Sequence, residues 1–329
     1  MSQSLKVGII GLGVMGKNHA RVISQLNTLE LVGIVDPLAE IHSGSEHHDL
    51  LMSFEELIAL KPNYCVISAP TAYHLELAEK LLILNINILI EKPLAHNLAS
   101  AKEILRLSKN SKSKVAIGHI ERFNAAAQLA KIKIEIGLLG EIYQVSTSRQ
   151  GPFPSRIADV GVVLDLATHD IDLTSWLLNK SYKSVSAKIT HRAGRKNEDL
   201  VSITGTLTDG VVVNHMINWL APFKERSVVI LGEKGALKIN TLDSDLTFFE
   251  NGQNSSDQLL ISHFRGVTQG QELKFAFDKP EPLKVEHINF QNYLNGEKNS
   301  HVSIEEGYAV VQIAEAVLKS ASESKVVEI

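Results

Sequence analysis

Apolar positions follow two rhythms along the chain. Up to about residue 121, short apolar runs recur at 5–10, 29–35, 64–68, 84–90 and 115–119. Between them lie stretches of helical character at 17–23, 54–58, 74–84 and 102–109. Unbroken apolar runs suit strands buried on both faces, and strands alternating with helices predict a doubly wound parallel sheet of the Rossmann α/β type. From about residue 122 the rhythm becomes two. Residues 142–149, 185–190, 201–207, 211–219 and 228–231 alternate, with turns such as Thr208-Asp209-Gly210 and Gly232-Glu233-Lys234-Gly235 between some of them. Strands in succession without helices predict an open, mostly antiparallel sheet with one solvated face, part of an α+β domain. Residues 304–320 read as a closing helix. The expected division is therefore residues 1–121 and residues 122–329, with the closing helix in the second domain; 329 residues is long for one.

Composition narrows the partners. With 44% apolar and 21% charged residues and a net charge of −4, the chain reads as a globular protein with no basic surface for nucleic acid or acidic membranes. No run approaches the roughly 18 apolar residues of a membrane span. Gly8, Gly11, Gly13 and Gly16 break the N-terminal apolar stretch, so it does not read as a signal peptide. The single cysteine, Cys65, lies in an apolar run and is expected to be a buried strand residue. A reducing, cytoplasmic setting fits. His42, His47 and His48 fall in a polar loop without a partner cluster, so no metal site is expected.

Candidate chemistry sits at the ends of the predicted strands. Gly11-Leu12-Gly13-Val14-Met15-Gly16 follows the first strand and opens a helix, which is the context a dinucleotide fingerprint requires. Gly11 makes the turn, Gly13 admits a pyrophosphate to the backbone, Gly16 lets helix and strand close, and the helix N-terminus attracts the phosphates. Asp36 ends the second strand, where an acid hydrogen-bonds both ribose hydroxyls of NAD and repels the 2′-phosphate of NADP. Ser68, Ala69 and Pro70 end the third strand. Glu91-Lys92-Pro93 ends the fourth: alone it reads as a surface ion pair before a turn, but the sheet's carboxyl edge is where ligands bind. In the second half, Asp165 and His169 share a face if residues 162–178 are helical, and a carboxylate beside an imidazole suits a general base. An ordinary acidic helix fits that segment equally well.

Taken together and in order, these motifs resemble the glucose-fructose oxidoreductase/inositol dehydrogenase (Gfo/Idh/MocA) family. Ala69-Pro70-Thr71 with His74, the run from Gly118-His119 through Arg122 to Asn124, and Ile304-Glu305-Glu306-Gly307 add to the likeness. The resemblance implies an NAD(P)-dependent sugar dehydrogenase, and Asp36 favours NAD. Gly11, Leu12, Gly13, Val14, Met15 and Asp36 would bind the cofactor, with Ser68, Ala69, Pro70, His74, Glu91 and Lys92. It also implies that Lys92 hydrogen-bonds the reacting hydroxyl and His169 takes its proton, with Asp165 close by. Arg149-x-Gly151-Pro152-Phe153-Pro154-x-Arg156 and Asp159-Val160-Gly161 are most similar to the UDP-N-acetylglucosamine 3-dehydrogenases of that family and to the related uronate enzyme. Arg122, Arg149 and Arg156 are then candidates for a pyrophosphate or a C6 carboxylate, with His119 and Asn124 also at the substrate. For each arginine a structural salt bridge is as good a reading. The activity expected is oxidation of the 3-hydroxyl of a UDP-N-acetylhexosamine by a homo-oligomer, dimer or tetramer. Two alternatives stay open: an inositol or free-sugar dehydrogenase, and a non-catalytic NAD-binding regulator.

Overall fold

The computed structural model describes residues 4–38, 48–154, 160–252, 269–297 and 301–329. The chain forms two compact units, Met1–Ile120 with Glu281–Gln312, and Glu121–Pro280 with Ile313–Ile329.

In the first unit, β1 (Leu5–Ile10), β2 (Leu29–Val35), β3 (Tyr64–Ile67), β4 (Asn87–Glu91) and β5 (Val115–Gly118) form one sheet in the order β2-β1-β3-β4-β5. Every neighbouring pair is parallel. The linking helices are α1 (Val14–Ser24), α2 (Phe54–Ala59), α3 (His74–Ile83) and α4 (Leu98–Lys109). The two faces are covered separately. Val7, Ile9, Tyr64 and Val66 pack against Ala20 and Ile23 of α1, while Leu57 of α2 lies over Gly8 and Gly33 on the other. The doubly wound parallel sheet thus follows from strands apolar on both sides.

One part of the division differs from expectation. The chain returns to the first unit after residue 280, through α7 (Pro282–Leu294) and the start of α8 (Ile304–Glu323). The cause is a stripe on α7: Leu283 and Phe290 join the α1 side of the core, each burial stabilising by roughly 1.5–3 kcal/mol. Pro282 starts that helix where its missing N–H is not needed. A capping box of Ser303 and Glu306 starts α8.

The second unit holds α5 (Ala125–Glu135), α6 (Thr168–Leu178) and a nine-stranded sheet. Its strands are β6 (Ile142–Pro152), β7 (Tyr182–Thr190), β8 (Leu200–Leu207), β9 (Val212–Asn218), β10 (Leu220–Gly232), β11 (Gly235–Asn240), β12 (Asp245–Asn251), β13 (Gln269–Lys274) and β14 (Val327–Glu328). The order is β13-β12-β11-β10-β6-β9-β8-β7-β14, antiparallel except for β6 beside β9. Residues of β6 and β9 alternate between buried and more exposed, as period-two patterning requires.

Candidate active site

The glycine loop is built to leave backbone groups unoccupied. Gly11 has φ of +99°, and a Cβ there would meet the Ala69 backbone at 2.5 Å. A Cβ on Gly16 would stand 2.0 Å from the Gly11 carbonyl oxygen. Both glycines are therefore demanded by the fold. Gly13 is different: its φ is −67°, and a Cβ would find nothing within 4 Å. Among the described residues nothing requires glycine at that position, which leaves room there for a ligand to approach the backbone. As N-cap of α1, Gly13 supplies no side-chain cap, which leaves first-turn N–H groups of the helix to an anion. A dinucleotide pyrophosphate fits this cradle. Leu12 is fully buried beneath the loop, and Val14 is exposed at the helix start.

Neighbouring strand ends brace the cradle. The Asp36 carboxylate accepts the Leu12 N–H at 2.5 Å and the Leu38 N–H at 2.8 Å. The Ser68 hydroxyl donates to the Gly11 carbonyl at 2.8 Å. His74 clips the third and fourth strand ends together, its ring nitrogens lying 3.0 Å from the Ala69 carbonyl and 3.1 Å from the Pro93 carbonyl. Burial holds this imidazole below its usual pKa. Cys65 lies in the interior of β3, and burial pushes its thiol up to about 12, so it is a packing residue.

Lys92, half-buried, follows β4 at the same carboxyl edge, and its peptide with Pro93 is cis. Glu91 before it is buried. Its Oε1 lies 2.9 Å from His19 Nε2, and its Oε2 accepts the Lys92 N–H at 3.1 Å. Burial opposes ionisation of Glu91, but the hydrogen bond from His19, with the charge and N–H of Lys92, outweighs it and holds the carboxyl below its usual range. Gly118 on β5 leaves the room: a Cβ there would press on Glu91 at 3.2 Å. His119, next in the chain, is buried.

In the second unit, α6 is entered through a π turn, Val163–Ala167, in which the Thr168 N–H reaches the Val163 carbonyl five residues back. Asp165 lies in that turn and His169 is the second residue of α6; they are 4% and 9% exposed. π turns inside helices occur often at functional sites. Glu198 caps the entry by accepting the Val163 N–H at 3.0 Å.

Two of the three arginines expected at the substrate form ion pairs inside the protein. Arg122 forms a two-pronged pair with Asp172 at 2.8 and 2.6 Å. Arg149 donates to Asp170 at 2.8 Å and to Glu121 at 2.9 Å. Arg149 is 2% exposed. Burial works against the Glu121 carboxylate, yet Arg149, with help from Arg226, holds it below the usual range. Asn124 caps α5, accepting the Ala126 N–H and donating to the Thr241 carbonyl. Arg122, Arg149 and Asn124 thus each hold partners inside the protein, as a buried guanidinium needs a carboxylate at close range. Arg156 and Asp159, like His42 and His47, lie outside the described residues.

The glycine loop and strand ends of the first unit thus have the layout of a dinucleotide-binding site, and comparison with known proteins agrees. The family model for an oxidoreductase family with an NAD-binding Rossmann fold matches residues 5–119, and that for the GFO/IDH/MocA C-terminal domain matches residues 127–238. The chain belongs to the Gfo/Idh/MocA family of oxidoreductases, with NAD as cofactor. Among its relatives is the UDP-N-acetylglucosamine 3-dehydrogenase of Acidithiobacillus ferrooxidans, 26% identical over 250 residues, 75% of this chain and 78% of that one. An inositol 2-dehydrogenase of Salmonella typhimurium is 25% identical over 266 residues, 73% and 75% of the two chains. Two solved structures share the fold. The UDP-N-acetylglucosamine 3-dehydrogenase GnnA superposes with a TM-score of 0.83 at 23% identity over 97% of this chain and 98% of that one. The WlbA dehydrogenase of Bordetella pertussis, in complex with NADH and UDP-GlcNAcA, gives 0.84 at 21% identity over 100% and 99%.

Proposed function

We propose that the protein oxidises the 3-hydroxyl of a UDP-N-acetylhexosamine, UDP-GlcNAc or its uronate, to a 3-keto sugar, using NAD. The observation that carries the chemistry is Lys92 at the carboxyl edge that also holds the glycine loop. A cation there lowers the pKa of the alcohol and stabilises a developing alkoxide. His169 accepts the hydroxyl proton, with Asp165 about one helical turn earlier. Bound NAD supplies the acceptor for the hydride that leaves the carbinol carbon. Gly11, Gly13 and the α1 N-terminus hold its pyrophosphate, and Asp36 its ribose.

The 26% likeness to a UDP-N-acetylglucosamine 3-dehydrogenase supports the nucleotide sugar. The inositol 2-dehydrogenases at 25% supply the second reading, an inositol or free-sugar dehydrogenase. With Arg122 and Arg149 paired internally, a pyrophosphate contact falls to Arg156 among the three. Replacing Arg156 with Ala is expected to raise KM for UDP-GlcNAc about tenfold or more with little change in kcat. No change in KM would remove Arg156 from the substrate site. We further read the enzyme as a cytoplasmic homo-oligomer. Exposed Val212, Met216 and Leu231 on the open sheet favour a second copy as its cover. Light scattering of the purified protein tests this; a monomer at working concentration would contradict it.

A further inference from the structure

Behind the edge that carries Lys92, four buried side chains from four elements form one continuous line. Glu91 of β4 meets His19 of α1, Nε2 to Oε1, at 2.9 Å. The other nitrogen of His19, Nδ1, lies 2.9 Å from Nε2 of His287 on α7. His287 Nδ1 lies 2.9 Å from the hydroxyl of Tyr64 on β3. His19, His287 and Tyr64 are fully buried. With one proton on each ring and Glu91 ionised, only one assignment satisfies every atom. Tyr64 donates to His287, His287 to His19, and His19 to Glu91. All donors point the same way and end on the carboxylate, whose second oxygen takes the N–H of Lys92.

We propose that Tyr64, His287 and His19 are positioning residues for Glu91 and Lys92: a one-way donor chain that fixes the charge and orientation of the carboxylate at the cofactor edge. The chain explains why the polypeptide returns to this unit after residue 280, since α7 supplies the middle link. A carboxylate fixed there favours the oxidised nicotinamide, which carries a positive charge, over the reduced one, which does not. The groups that face Glu91 are His19 from α1, His74 from α3, Glu286 from α7 and Lys92 from its own strand; β5 presents only Gly118. Of these, His19 alone donates a side-chain hydrogen bond to the carboxylate. Interrupting the chain therefore leaves burial to act on Glu91, which then takes up a proton as the solution is acidified.

The inference rests on the assignment of Glu91 and Lys92 to the cofactor edge and not on the identity of the sugar. Its test is the affinity of the full-length protein for NAD and NADH, by fluorescence titration and competition, between about pH 5.5 and 8. The variants are Tyr64→Phe, which removes one oxygen, His287→Phe, and the pair. Glu286→Gln is the control on the same helix. Each chain variant is expected to weaken NAD binding about tenfold more than NADH binding, with the loss growing towards acid. The double variant should lose no more than the worse single one, as links of one chain do. The control should bind like the wild type. Equal losses for NAD and NADH that ignore pH, multiplicative losses in the double variant, or no loss at all would overturn the proposal. Should His287→Phe fail to fold, Tyr64→Phe alone decides by the same readings. A protein inactive on UDP-sugars leaves this test intact, so the two failures are distinguishable.

Discussion

At the scale of single residues, burial decides which charges are available for chemistry. Arg149 is committed to two carboxylates. Arg149→Ala strands Glu121 and Asp170 and should cost about 3–5 kcal/mol of stability, read as a lower melting temperature rather than a raised KM. Glu286 offers a second test. Burial, and then the charge of Glu91, push its carboxyl well above the usual range. The folded state therefore keeps a proton that the unfolded chain releases above about pH 4.5. Stability from this group is full below that pH and falls as pH rises, by up to about 1.4 kcal/mol per pH unit. His287 works in the opposite direction: burial keeps it neutral, so its contribution fades as pH drops below 6.5. Relative to the wild type, Glu286→Gln should therefore lose less melting temperature as pH rises above about 4.5. An unchanged slope would show that Glu286 is ionised in the fold. The salt bridge of Arg149 was one of two equal readings of the sequence, whereas the roles of Glu286 and His287 were not legible in it. His19, Tyr64, Glu286 and His287 sit in different parts of the chain, and only the tertiary structure brings them together. Arg149 matched a substrate pattern by position, while its carboxylate partners lie 21 and 28 residues away.

At the scale of elements, patterning was a better guide. The parallel strands end within a residue of where their apolar runs end, because a strand buried on both faces stops where polar residues begin. The strand–glycine–helix unit was legible for the same reason, and its glycines now separate by role. Gly16→Ala should drive α1 away from the Gly11 carbonyl and cost about 1–3 kcal/mol. Gly13→Ala, with open space around it, should leave the melting temperature unchanged and weaken NADH binding at least about tenfold. Equal effects from both changes would contradict the division. The C-terminal elements were harder to read. Nothing in the periodicity of residues 282–294 says against which unit the helix packs, and β11, β12 and β13 were not anticipated, although β11 alternates buried and more exposed positions. The π turn before α6 also left no trace, since residues 162–178 carry an ordinary helical pattern.

At the scale of the molecule, the two rhythms of apolar residues foretold the two architectures, a five-stranded parallel sheet and a nine-stranded mixed one. The fold with its strand-end motifs defines the chemistry of a nicotinamide-dependent dehydrogenase, and the family match agrees with it. Among the described residues, no helix is long and apolar enough to cross a membrane. Substrate choice is the least legible level, because a UDP-N-acetylglucosamine 3-dehydrogenase and an inositol 2-dehydrogenase resemble the chain to nearly the same degree. The most direct measurement is incubation of the purified enzyme with NAD and, separately, UDP-GlcNAc, its uronate, myo-inositol and free hexoses, following NADH and analysing products by mass spectrometry. The account predicts NADH and a UDP-linked 3-keto sugar, two hydrogens lighter than the substrate, abolished by Lys92→Ala. Turnover of inositol or free hexoses with none of the UDP-sugars, or a Lys92→Ala enzyme that works as well as the wild type, would contradict it.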